Sequence, residues 1–191
     1  MNNGKNIVIG IDVGYEGAIA MYDIKIDDIV VHKMPVIKSE KEKKLDVEKI
    51  NFLFSVVSNN ILMCGLEFQH PFPFEGVKSV FSLGKQTGIL EAVLISQHIP
   101  YQYIYPVQWK KELGLKGKTK SDAMVECVRV VRALFTGIPV KTPRGKYLTG
   151  VIDAILIMLY TLLKYCPECK KAIECKEITR RLNEPCRGSE Q

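Results

Sequence analysis

The segment Asn6 to Val13, NIVIGIDV, is β-branched and apolar at nearly every position. A strand with one wet face alternates apolar and polar residues, whereas a run like this one is expected where both faces are covered. It therefore reads as a central strand with packing above and below it. Gly14 to Gly17 supplies a turn, and Ala18 to Ile24 and Ile29 to Met34 read as two more strands of an antiparallel meander. Ile61 to Phe68 and Tyr101 to Tyr105 are expected to be the fourth and fifth strands.

Helical patterns alternate with these strands. Asp46 caps a helix running to about Val57, with Val47, Ile50, Phe54 and Val57 on one face. A second runs from Gly76 to about Gln97 and contains Gly84 and Gly88. Each interior glycine costs about 1 kcal/mol, so the pair predicts close approach by another backbone, a partner helix or DNA. Pro106 begins a short helical turn through Trp109 to Leu113. Thr119 or Ser121 caps a helix to about Leu134, with Ala123, Cys127, Val130 and Leu134 on its inner face. A last core helix spans about Thr149 to Lys164. Lys38 to Lys44 and Thr136 to Thr149 read as loops.

This order predicts an α/β domain: a five-stranded mixed sheet flanked by helices, with strands one, four and five parallel through helical crossovers. At 191 residues and 47% hydrophobic, one compact domain is expected over residues 1–165, followed by a polar, Cys-containing tail over 166–191. No apolar run approaches the roughly 20 residues of a membrane span, and the N-terminus does not read as a secretory signal. The expectation is an intracellular protein, cytoplasmic if bacterial or viral, with an organelle or the nucleus left open.

Cys64 and Cys127 lie among apolar residues and read as core thiols. Cys166, Cys169, Cys175 and Cys186 lie in the tail. Free thiols are the preferred reading there, and a small structural Zn²⁺ site is the other. The net charge is +6, from 27 Lys and Arg against 21 Asp and Glu. Lys110, Lys111, Lys116, Lys118 and Lys120 crowd one stretch, and Lys141, Arg144 and Lys146 another. Clustered cations among glycines suit phosphate contacts, and a solvated charged face produces the same letters.

Three acids interrupt apolar sequence. Asp12 lies at the end of strand one, Glu67 at the end of strand four, and Asp153 inside GVIDAILIMLY. The topology puts the tips of strands one and four side by side. A carboxylate among apolar residues is costly to keep charged without a cation or donor beside it, although Asp153 also suits a helix first turn. Three such acids on one edge form an oxygen-donor set for Mg²⁺ or Mn²⁺. Two such ions activate water and steady the leaving oxygen of a phosphodiester.

IGIDVGYEGAIA resembles the first strand–turn–strand motif of RNase H-like nucleases. LEFQHPFPFEGVKSVFSLGKQTGILEAVL resembles the second acidic strand and following helix of RuvC-type Holliday junction resolvases. IPYQYIYPVQWKKELGLKGKTKSDAM is similar to the segment leading into their basic DNA-contacting loop, and TGVIDAILIMLY to their last helix. The likeness covers about Ile7 to Tyr160 and is nearest the divergent phage, viral and organellar branch. It implies an RNase H-like fold, with Asp12, Glu67 and Asp153 as catalytic metal ligands. It also implies a homodimer that nicks opposed strands of a four-way junction with a metal-activated water, leaving 5′-phosphate and 3′-hydroxyl ends. His70, Phe72 and Phe74, in the loop beyond the second acid, would stack on opened bases, or else pack on the domain itself. Lys116, Lys118 and Lys120 would contact phosphates, with Lys85 a further candidate.

One departure stands out. Resolvases of this type commonly carry a fourth ligand one helical turn before the last acid, and here those positions hold Gly150 and Thr149. A junction-binding protein without cleavage is therefore a second reading, and a nuclease acting on flaps, forks or RNA–DNA hybrids a third. The first hairpin also resembles that of sugar-kinase and actin-like ATPases. For those folds, 191 residues leave no space for the second phosphate hairpin and the adenosine loop.

Overall fold

The computed structural model describes residues 4–40, 42–68, 76–115, 117, 119–135 and 137–166. Five strands form one sheet in the order β3-β2-β1-β6-β7: β1 Ile7–Asp12, β2 Ala18–Asp23, β3 Asp28–Lys33, β6 Ile61–Glu67 and β7 Tyr101–Ile104. β1 runs antiparallel to β2 and parallel to β6, and β6 parallel to β7, as the sequence predicts.

Burial explains why β1 is apolar throughout. Val8 faces a core built with the last helix, while Ile7, Ile9 and Ile11 face a second core beneath the first two helices. Both faces are covered, so alternation would have placed polar groups in one core or the other. On the second face lie α1, Val47–Ser55, and α2, Val77–Ser96. Asp46 caps α1 by accepting from the Lys49 backbone N–H at 3.0 Å, and Ile50 and Phe54 are fully buried. On the first face lie α3, Pro106–Glu112, α4, Lys120–Leu134, and α5, Thr149–Tyr165. Thr119 rather than Ser121 caps α4, in a reciprocal capping box with Asp122.

The fit of α5 to the sheet depends on two glycines that are register partners, Gly10 of β1 and Gly65 of β6. A Cβ on Gly10 would lie 2.2 Å from the Met158 backbone nitrogen, and one on Gly65 2.1 Å from Thr161 Oγ1. The helix thus rests on the sheet where no side chain intervenes. Every residue from Gly150 to Leu162 is buried except Asp153, which is partly exposed.

The expectation of a plain loop at Lys38 to Lys44 is corrected. The charged loop around Lys38 to Lys44 contains a two-stranded hairpin, β4 Val36–Lys38 with β5 Lys43–Leu45. Leu45 is buried and Val36 packs on the second core, so two short apolar flanks hold a charged tip. The stretch after α4 is a loop, as expected, and an isolated bridge joins Lys141 and Tyr147 around a turn in which Gly145 has φ 81°. No backbone of the described residues approaches Gly84 or Gly88; a Cβ on either would meet open space within 4 Å. Cys64 and Cys127 are free and buried as expected, but Cys166 is disulfide-bonded rather than a free thiol. The rest of the Cys tail lies outside the described residues. Among the described residues, no helix is long and apolar enough to cross a membrane.

Candidate active site

The parallel pairing of β1 with β6 matches Ile11 with Leu66, which leaves Asp12 beside Glu67 at the carboxyl edge. Asp153 approaches from α5, whose first turn is seated against the β1–β2 turn: a Cβ on Gly150 would lie 2.2 Å from the Glu16 carbonyl oxygen. Asp153 lies beyond the first turn of α5, so the helix terminus does not account for it.

The charge of Glu67 acts on both of the other acids. The Asp12 carboxyl is pushed up to about 9, first by burial, then by the charge of Glu67, a hydrogen bond to it, and the charge of Asp153. Asp153 is raised to about 6, again by burial first, with Lys110 opposing and Glu67 adding to the rise. Glu67 itself is buried, 5% exposed. With only protein groups present, a proton on Asp12 bridges to Glu67 because two adjacent buried carboxylates resist joint ionisation.

Two neighbours on α3 complete the surroundings, and the sequence reading assigned them no role at the acids. β7 is in register with β6 so that Ile104 sits opposite Glu67, and α3 begins two residues later. Its fully buried Trp109 donates from Nε1 to Glu67 Oε1 at 3.3 Å. Lys110 lies over the Trp109 ring, Nζ 4.9 Å from the centroid, and its charge lowers both Asp12 and Asp153. The available signal was positional: a helix entered directly from the tip of β7 must start beside the tip of β6. On α4, Cys127 is raised to about 11, by burial and then by the charge of Asp153, so α4 flanks the same cleft.

Among the described residues, no three His, Cys, Asp or Glu side chains stand in a geometry that already encloses an ion. The donor set nevertheless fits a hard divalent cation: carboxylate oxygens only, crowded enough to hold a proton where a cation would relieve the repulsion. The fourth-ligand question has a steric answer. Gly150 has no room for a side chain beneath Glu16, and Thr149 is exposed.

The other candidates are distributed differently. Lys120 is exposed at the start of α4, and Lys85 is exposed on α2. His70, Phe72, Phe74, Lys116 and Lys118 lie outside the described residues. Phe68, immediately after Glu67, joins an aromatic row with Tyr103 at 5.0 Å and Tyr105 at 5.2 Å between ring centroids.

Sheet order, crossovers and the acid-bearing edge define an α/β domain of RNase H-like fold. Within that class, the chain shares the fold of RuvC Holliday junction resolvases. T. thermophilus RuvC in complex with Holliday junction substrate is 18% identical, with a TM-score of 0.53, covering 87% of this chain and 96% of that one. A second Thermus thermophilus RuvC structure is 16% identical, with a TM-score of 0.50, covering 82% of this chain and 95% of that one. No family model matches the sequence, and no curated protein matches it.

Proposed function

We propose that the chain is a metal-dependent endonuclease that resolves four-way DNA junctions by paired symmetric nicks, with Asp12, Glu67 and Asp153 as ligands of Mg²⁺ or Mn²⁺. The observation that carries this reading is the convergence of three acids, far apart in sequence, at one sheet edge, where the charges of Glu67 and Asp153 raise the proton affinity of Asp12 and that of Glu67 raises Asp153's. Bound there, two divalent ions would activate water for attack on phosphorus and stabilise the leaving oxygen, giving 5′-phosphate and 3′-hydroxyl ends.

The chain's own groups have separable tasks. Asp12 and Glu67 provide adjacent oxygens on neighbouring strands, and α5 brings Asp153 toward them. Trp109 holds one Glu67 oxygen by its indole N–H, fixing the carboxylate's rotation. Lys110 brings a positive charge toward a scissile phosphate from the α3 side, and Lys116, Lys118 and Lys120 would contact flanking phosphates. His70, Phe72 and Phe74 would stack on bases opened at the junction centre, and Lys85 is a further phosphate contact.

Paired nicks require two active sites, and α2 offers a face for a second copy. Val77, Phe81 and Ile95 are 85%, 74% and 57% exposed along it, with Gly84 and Gly88 bare between them. The two glycines would let a partner helix approach closely. Such an enzyme works where DNA is kept, inside a cell or organelle.

A second reading, a junction-binding protein that does not cleave, is favoured by the closed fourth-ligand position at Gly150. A synthetic four-way junction incubated with the protein, first with chelator and then with Mg²⁺ or Mn²⁺, separates the two. Symmetric nicks that depend on the added metal support the nuclease. Tight binding without nicking under either metal supports the other reading.

A further inference from the structure

On the side of α4 away from the acids lies an open groove of about 560 Å³ between that helix and the turn carrying Lys141 and Tyr147. Its floor is apolar, with Val125, 50% exposed, and Val128. Its lining also includes Arg129, Arg132 and Lys141. Arg129 is held by Glu126 in an ion pair at 2.5 Å, so its charge is largely spent within the fold. Arg132 and Lys141 are exposed and make no ion pair among the described residues.

Lys141 is also preorganised. Its partner across the bridge is Tyr147, and its Nζ stands 4.4 Å from that ring's centroid. The turn between them carries two more exposed cations, Arg144 and Lys146. A guanidinium fork and a positioned ammonium on an open groove, without acids to neutralise either, are the complement of a phosphodiester.

We propose that this groove is a second nucleic-acid contact, separate from the cleft at the acids, which takes the sugar–phosphate backbone of a duplex arm. The inference rests on the reading of the chain as a junction enzyme for the identity of that duplex, and on the groove's own charge for its chemistry. α4 joins the two sites: Cys127 on its inner face packs in the core that holds Ile152 and Ala154 of α5, while Arg132 lines the groove outside. A junction centred on the acids therefore extends an arm past this helix. The contact anchors the arm and leaves the chemical step unchanged.

The test compares wild type with Arg132→Gln/Lys141→Gln and with Arg132→Glu/Lys141→Glu, on a fluorescent four-way junction and on linear duplex, in chelator over a salt series. Removing two phosphate contacts lowers the magnitude of the slope of log K against log salt by about 2 and weakens binding about tenfold near physiological salt. The nicking rate at saturating protein stays within about twofold of wild type. A salt slope equal to wild type in both variants, each verified as folded by circular dichroism, overturns the proposal, whether or not an acidic peptide binds the groove instead. A wild type with no preference for the junction removes the resolvase reading alone, and the slope on linear duplex still decides the groove.

Discussion

Trp109 and Glu67, 42 residues apart, meet in a buried hydrogen bond of 3.3 Å from indole Nε1 to Oε1 at the tip of β6. The donor comes from the first turns of α3 and the acceptor from a strand end. The contact therefore ties the sheet edge to the helix that carries Lys110.

Trp109→Phe removes that donor, so the buried Glu67 carboxylate loses one of its hydrogen bonds, a loss of about 1–3 kcal/mol. Thermal melts will show a lowered Tm, and titration calorimetry a weaker Mn²⁺ isotherm. Trp109 is also the chain's one tryptophan. Mn²⁺ will therefore change its fluorescence in wild type and leave it unchanged in Glu67→Gln. An identical response in that variant would place the ion elsewhere.

Asp12→Asn and Glu67→Gln keep the shapes of the cleft and remove one ligand charge each. Junction affinity in chelator will stay near wild type, while nicking in Mg²⁺ falls below about 1% of it. Cutting that persists at near wild-type rate in either variant would refute the assignment of these acids.

The two glycines beneath α5 predict different outcomes. A Cβ on Gly10 meets the main chain of Met158 and Ala154, which cannot step aside. A Cβ on Gly65 meets first the Thr161 hydroxyl, a side-chain atom. Both alanine variants will be destabilised, by about 1–3 kcal/mol or more. Adding Thr161→Ala will recover part of the loss for Gly65→Ala and none for Gly10→Ala, as read by denaturant midpoints.

Stability against pH follows from the raised carboxyls, Asp153 at about 6 and Asp12 at about 9, against an ordinary 3.8. A carboxyl raised by folding binds its proton more tightly in the native state. Its contribution is complete below its unfolded value and lost as pH climbs through the folded one. In chelator, Tm will fall from pH 4 toward pH 9 beyond what the rest of the chain contributes, and Asp12→Asn will remove the later part of that fall. Mg²⁺ will oppose it, because the ion stabilises the deprotonated acids.

Phe81→Glu places a charge on the exposed face of α2. If that face joins two copies, light scattering will show a monomer at concentrations where wild type is a dimer, and paired nicks will give way to single ones. A variant with unchanged mass and paired cutting would exclude α2 as the interface.

Much of the architecture was legible because burial leaves period and punctuation in the letters. β1 reads apolar since both faces are covered, and Asp46 and Thr119 announce their helices by capping chemistry. Asp12, Glu67 and Asp153 stood out because a charge inside an apolar run demands a reason. The β4–β5 hairpin was hidden because three-residue strands are too short to show alternation. Trp109 and Lys110 were assigned no role at the acids because their place there depends on the register of β7 against β6, which no local pattern encodes. Gly84 and Gly88 signalled a close approach that nothing within the described residues makes.

Where α5 crosses β1, peptide lies on peptide, with glycine removing the cushion of side chains usual between a helix and a sheet. The spacing from Asp153 to Asp12 is thereby set by main-chain dimensions rather than by how neighbouring hydrocarbons happen to fit. Drift in the surrounding apolar letters can alter stability without widening or narrowing the aperture between these acids.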